Sequence, residues 1–247
     1  MLRELMLFFL AGLAGGVVNA AAGGAKLFVF PLLLASGLPA IAANATGTVA
    51  LWPATLPAAW LYRRELAAGG PLLVLLLPAM LGALTGALVL VSLPAASFLS
   101  AVPVLLALAA TAILFGRQLP KLMRHLFPGG AMMPVTVVLL FGIGFYGGYF
   151  GAGMGFMLLA VLSATTTGDL HHANARKNVF AFCINSTAVV PLAFSHHVDW
   201  VAAPTVLLGG LIGGYASGRL LRFVPDWLLR LAVAGLGLTL TIWFLAR

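Results

Sequence analysis

The sequence predicts an all-α, polytopic membrane bundle, and three observations carry that prediction. Of 247 residues, 62% are apolar and 7% are charged, against roughly 25% charged in soluble domains. Apolar runs that match the about 20 residues a helix needs to cross a bilayer recur from one end of the chain to the other, and no polar stretch is long enough for a soluble domain. The basic residues behind the formal net charge of +8 stand singly at segment ends, where they anchor and orient helices. The partner implied is a lipid bilayer, not nucleic acid. The single cysteine, Cys183, forms no intrachain disulfide.

Hydropathy and chain breakers divide the sequence into eight segments: 5–35, 38–61, 71–92 and 95–115, then 132–165, about 173–194, 200–221 and 226–245. The start of the first could pass for a signal peptide, with Arg3, an apolar core and small residues at Ala20 to Ala22. Apolar sequence resumes at once in LFVFPLLLASG, and an equivalent segment occurs mid-chain, so the expectation is a retained membrane element. The first and fifth segments exceed a single crossing. Both are studded with glycine, at Gly15, Gly16, Gly23 and Gly24 and again from Gly142 to Gly155, which predicts discontinuous helices.

Self-comparison gives a weak repeat. GGVVNAAAGG resembles GGYFGAGMGF, ANATGTV resembles ANARKNV, and Pro94 after LVS resembles Pro225 after RFV, all in the same order. The expected organisation is a first transmembrane repeat over 1–116, a basic linker over 117–130 and a second repeat over 131–247, a plan common among secondary transporters. Eight simple crossings would put Arg3, Arg63, Arg64, Arg117, Lys121 and Arg124 on one side, cytoplasmic by the positive-inside rule. The second half then reverses, with Arg176, Lys177, Arg219 and Arg222 outside. Either Arg176 and Lys177 lie inside the protein for functional reasons, or the halves are inverted because a broken segment re-enters.

The five carboxylates, Glu4, Glu65, Asp169, Asp199 and Asp226, all sit at or beside segment ends, so side-chain carboxylates at mid-span offer no cation site. Lys26 differs. A lysine at mid-span costs about 2.5–3.5 kcal/mol on insertion scales unless it faces a cavity or partner. A snorkelling Lys26 that reaches the interface is one reading. An anion site is the other, because a break at Gly23 and Gly24 beside Asn19 frees backbone N–H groups to which an ammonium adds its charge. In the second half, NARKNVFAFCINST offers Arg176, Lys177, Asn178 and Asn185 as candidates, with backbone at Gly151 and Gly153; Thr46 and Thr48 are their first-half counterparts. Flanking anchors and polar residues that glue helices together are equally good readings of these. The pairs His171–His172 and His196–His197 lack a zinc spacing and read as loop or interface residues. Pro53, Pro57 and Pro191 mark kinks. GALTGAL and GGYASG carry small residues four apart, which means close helix packing, within a protomer or in a homodimer.

AGGVVNAAAGGAKLFVFPLLLASGLPAIAANATGT with YRREL, and GFYGGYFGAGMGFMLLAVL with HHANARKNVFAFCINSTAVVPL and VDW, resemble the two repeats of the TauE/SafE family of sulfite and organosulfonate exporters, also known as the toluene sulfonate uptake permease family. The resemblance implies a multi-pass transporter of the bacterial inner membrane, not an enzyme, that carries a small anion such as sulfite, a sulfonate or a carboxylate with no cofactor and no metal. Related sequences often carry an acidic residue where this chain has Asn19 and another near Gly147, and a lysine near Thr48. A chain that gains Lys26 and lacks both acids has a more positive cavity, so an anion remains the expected substrate, exported by alternating access. A passive anion channel along the same glycine-lined path is the alternative.

Overall fold

The computed structural model describes residues 2–22, 24–62, 72–116, 118–126, 133–165, 170–220 and 225–246. Gly23, Arg63, Arg64, Glu65, Arg117, Asp169, Arg222 and the last residues of the basic linker, 127–130, fall outside this set. The described chain is helical, without strands. Its helices are α1 (Leu2–Ala22), α2 (Ala25–Ala35), α3 (Ala40–Leu51), a 3₁₀ turn (Trp52–Thr55), α4 (Leu56–Leu61), α5 (Leu72–Ser92), α6 (Ala95–Leu114), α7 (Leu119–Leu126), α8 (Met133–Tyr149), α9 (Met154–Thr165), α10 (Leu170–Phe194), α11 (Ala202–Leu220) and α12 (Asp226–Leu245). Among the described residues, four helices, α1, α5, α6 and α10, are long and apolar enough to cross a membrane, and several shorter apolar helices pack with them.

Prolines set several boundaries. Pro39, Pro94 and Pro225 are the residues that precede α3, α6 and α12, each extended with ψ of 148°, 144° and 136°. Their rings fix φ and turn the chain into a new helix. Pro53 opens the 3₁₀ turn after α3 and Pro57 sits in the first turn of α4, whereas Pro191 is carried inside α10.

The two glycine-rich segments are broken, but neither continues across as a bent helix. A Cβ on Gly15 of α1 would meet Ala25 and Val29 of α2, so the chain reverses after Ala22 and α2 returns alongside α1. In the second segment Gly147 of α8 lies against Met154 of α9 in the same way. Each segment is therefore a helical hairpin. The reason lies in the turns: Gly151 and Gly153 have φ of +83° and +72°, a region closed to side chains with a Cβ at low cost.

Direction follows from neighbours. α2 passes Ile113 at Gly24 and Phe98 at Phe30, so it runs against α6, and α1 runs with it. α11 lies parallel to α1, with Gly12 on Val206, Gly16 on Gly210 and Gly213 on Leu13. α8 lies parallel to α5, with Gly82 on Phe141, Gly86 on Phe145 and Gly148 on Ala83. Because α9 runs with α6, Gly153 lying on Ala109 and Phe156 on Gly116, while α2 runs against it, the α8–α9 hairpin enters from the opposite end to the α1–α2 hairpin. This corrects the one-sided placement of the first-half cations: Arg3 opens α1 at one end of the bundle, while Gln118 and Lys121 follow α6 at the other.

At these glycine stripes an added Cβ would collide with backbone of the facing helix. Close approach of that kind is how helices gain dispersion contacts in lipid, where apolar burial gives no advantage over lipid tails. The stripes in GALTGAL and GGYASG are thus occupied within one protomer. Pairings recur when the halves are exchanged: α1 packs on α11 and α8 on α5, α3 on α11 and α10 on α5, α2 on α3 and α9 on α10, while α6 packs on α12. At the centre, Phe30 meets Phe98 and Phe150 edge-on at 6.0 and 5.5 Å. Contacts of this type add about 0.5–1.5 kcal/mol each beyond area burial. They join α2, α6 and the α8–α9 turn. Exposed Leu73, Val104, Val138 and Ile242 form part of the outer apolar surface.

Candidate functional site

The tips of the two hairpins meet inside the bundle, and Lys26 stands where they meet. It is the second residue of α2, only 8% exposed. Its Nζ donates to Thr48 Oγ1 on α3 at 2.5 Å and lies 5.8 Å from the ring centre of Phe150, in the α8–α9 turn. The side chain thus points into the protein rather than out to an interface. Thr48 passes the interaction on, its hydroxyl donating to the Asn44 carbonyl at 2.8 Å. Among the described residues no carboxylate pairs with Lys26. The ammonium also sits in the first turn of a helix, where the backbone dipole is positive and favours anions. Burial and dipole both oppose a charge there, and an anion would relieve both.

A cavity of about 90 Å³ opens beside it. α1 contributes Asn19, α2 Ala25 and Lys26, α3 Thr48, the 3₁₀ turn Trp52 and Thr55, the second hairpin Gly151 to Gly153, and α10 Asn185. The first N–H groups of a helix have no intrahelical acceptor. In α2 and α9, Leu27 and Phe156 N–H bond back to Gly24 and Gly153, while the Ala152 and Gly153 N–H groups meet no acceptor among the described residues. Tyr146 holds this turn in place by donating its hydroxyl to the Ala152 carbonyl at 2.6 Å. The cavity thus combines a buried ammonium, two side-chain amides and backbone donors, a set that suits an oxyanion. A second, larger and more apolar cavity of about 310 Å³ shares Asn19 and Leu51 with it and runs between α1, α11 and the Pro53 turn.

Of the residues singled out from sequence, Asn19, Lys26, Thr48, Gly151, Gly153 and Asn185 line this cavity together. Gly24 caps α2 and packs towards Ile113 and Val233; Gly23 lies outside the described residues. Thr46 is buried on another face of α3, where its hydroxyl accepts the Asp199 N–H at 2.9 Å. The Asp199 carboxylate in turn accepts from Val201 and Ala202 N–H at the start of α11, so Thr46 sits in a helix-fixing network. Arg176, Lys177 and Asn178 are half-buried in the opening turns of α10 and do not line the cavity. Lys177 lays its stem over Gly155 in the first turn of α9, within 3.9 Å of where a Cβ would be. Asn185 also donates to the Ala181 carbonyl.

Three residues were missed from sequence. Asn44 donates to the Tyr149 carbonyl at 2.8 Å, tying α3 to the end of α8, and its buried Oδ1 has no partner. Its signal was the asparagine shared by ANATGTV and ANARKNV. Trp52 bridges the halves by donating to Ser186 Oγ at 2.8 Å, and Phe150 offers its ring to Lys26; no local pattern distinguishes either from packing. His196 and His197 lie in the α10–α11 connection, and no group of three or more potential metal ligands occurs among the described residues.

The family profile described as Sulfite exporter TauE/SafE matches residues 8–244. A protein of Haemophilus influenzae (strain ATCC 51907 / DSM 11121 / KW20 / Rd), described as "Probable membrane transporter protein", is 24% identical over 233 residues, which cover 92% of this chain and 88% of that protein. No solved structure matches.

Proposed function

Because the chain belongs to the TauE/SafE sulfite exporter family, we propose that this multi-pass membrane transporter exports a small oxyanion, a sulfite, sulfonate or carboxylate, by alternating access around Lys26. One observation carries the reading: a buried lysine, unpaired with any described carboxylate, stands in a cavity walled by both hairpins. The headgroup of the anion would sit between Lys26 Nζ, Asn19 and Asn185, against the N–H groups of the α8–α9 turn, with the larger cavity as its approach.

The exchange pattern of helix pairings and the opposed hairpins support two inverted repeats, an arrangement in which one half rocks against the other around a fixed site. Charge supports the same reading. Lys121, Arg124 and Arg219 follow or close helices that end at one end of the bundle, and Arg176, Lys177 and Arg230 lie in the opening turns of helices that start there. With hairpins that turn back, the charge reversal expected for eight simple crossings disappears. That end is cytoplasmic in a bacterial inner membrane by the positive-inside rule.

A panel of anions tested for thermal stabilisation of the purified protein checks the site, since a ligand of the folded state raises apparent stability by mass action. Selected oxyanions are expected to stabilise the wild type and to lose that effect in Lys26→Ala. Equal stabilisation of both proteins would overturn the assignment.

A further inference from the structure

We propose that this transporter is proton-coupled, with Lys26 Nζ carrying the proton: the anion and one proton load together, cross together and leave together. The inference rests on the reading of Lys26 as the anion's partner. Its ground is what surrounds the amine. Thr48 is a neutral partner whose hydrogen is committed to the Asn44 carbonyl, so Thr48 Oγ1 can only accept from Nζ, and Nζ can donate whether or not it holds its extra proton. Phe150 offers a ring face at 5.8 Å.

Among the described residues, the ionisable groups on the elements packed around α2 supply no counter-charge. α1 has Arg3 and Glu4 at its remote start. α3 has none, but its other face receives Asp199, whose carboxylate accepts from α11 N–H groups. α12 has Asp226 as its first residue and contributes Arg230, over the Phe156 ring at 4.9 Å. The second hairpin brings Tyr146 and Tyr149, and α10 brings Arg176, Lys177 and Cys183. Among the described residues the side chains near Lys26 are thus neutral or positive, and the first turn of α2 adds its positive dipole end.

A lone charge at that depth is among the most expensive states of a membrane protein. Two states of the site avoid it: ammonium with bound anion, and neutral amine without. A cycle that alternates between them never carries an uncompensated charge across the bilayer. The proton taken up from water with the anion on one side is returned to water with it on the other. Carriage of a monovalent anion is then electroneutral.

Methanesulfonate tests this, because it stays ionised across the working range and so carries no proton of its own. Full-length protein in proteoliposomes with a trapped pH dye would receive a methanesulfonate gradient, with flux and lumen pH recorded together. The wild type is expected to move a proton with each anion. Lys26→Arg holds a charge that does not titrate; its flux falls too, so the reading is the ratio, and protons per anion should drop to the leak of empty vesicles. Methanesulfonate uptake by the wild type without a lumen pH change overturns the coupling, and so does a Lys26→Arg ratio equal to that of the wild type. If Lys26→Arg shows no flux, the wild-type ratio decides. Undiminished flux in Lys26→Ala would instead defeat the anion-site reading itself.

Discussion

The two hairpin turns meet at one cavity but are built differently. The α1–α2 turn ends at Gly24 with φ of −117°, and the helix it starts carries its own cation, Lys26. The α8–α9 turn uses two glycines at positive φ, and α9 has no cation in its first turn. A cation from another helix lies alongside it: Lys177 of α10 lays its stem on Gly155, the second residue of α9 as Lys26 is of α2. In the first half the same contact runs the other way, from Lys26 of α2 to Thr48 of α3. The lysine has changed helices, and only the first-half lysine faces the cavity. The first turn supplies charge, whereas the second supplies backbone donors.

The largest expected effect tests what holds both hairpins. Gly144→Ala in α8 and Gly12→Ala in α1 each press a methyl into facing backbone that cannot yield. Overpacking of this kind costs upwards of about 3 kcal/mol, and both variants should aggregate in size-exclusion chromatography, whereas Gly142→Ala, with open space around it, should not. Next come the turns. Gly153→Ala combines φ of +72° with a Cβ 3.1 Å from the Ala109 carbonyl oxygen, at a cost of roughly 1–2 kcal/mol for the conformation alone. Gly24→Ala would meet only the side-chain ends of Ile113 and Val233. The melting temperature should therefore fall further for Gly153→Ala, and the reverse order would show that the turns are not built as described.

Smaller effects separate the two lysines and the two threonines. Lys177→Met keeps a stem over Gly155 and removes the charge, so apparent anion affinity should weaken a few-fold, on the order of 1 kcal/mol. A loss as large as that of Lys26→Ala would place Lys177 in the cavity. Thr46→Val removes the acceptor of the Asp199 N–H, with about 1 kcal/mol of stability at stake and flux per folded molecule unchanged; Thr48→Val should lower flux instead.

The helical membrane class was legible in composition because lipid allows few alternatives, and the breaks were legible because glycine clusters have few uses inside an apolar run. Whether a broken segment continues or turns back was not. That depends on φ at Gly151 and Gly153 and on which helix Gly15 packs against, neither of which leaves a periodic trace. Lys26 stood out because charge at mid-span is rare. Thr46 and Thr48 looked alike in ANATGTV, yet two positions on a helix are about 200° apart, from 3.6 residues per turn, so they face different neighbours. Arg176 and Lys177 stood out as cations in NARKNV, yet neither lines the cavity, and Lys177 lies over Gly155 of α9 instead.

Counterflow of labelled methanesulfonate in proteoliposomes, wild type against Lys26→Ala with both proteins monodisperse, addresses Lys26 most directly. Truncating one partner of a buried charge pair costs about 2–5 kcal/mol, so exchange in Lys26→Ala should fall by at least about 30-fold. Exchange within twofold of the wild type would contradict a transport site built on Lys26.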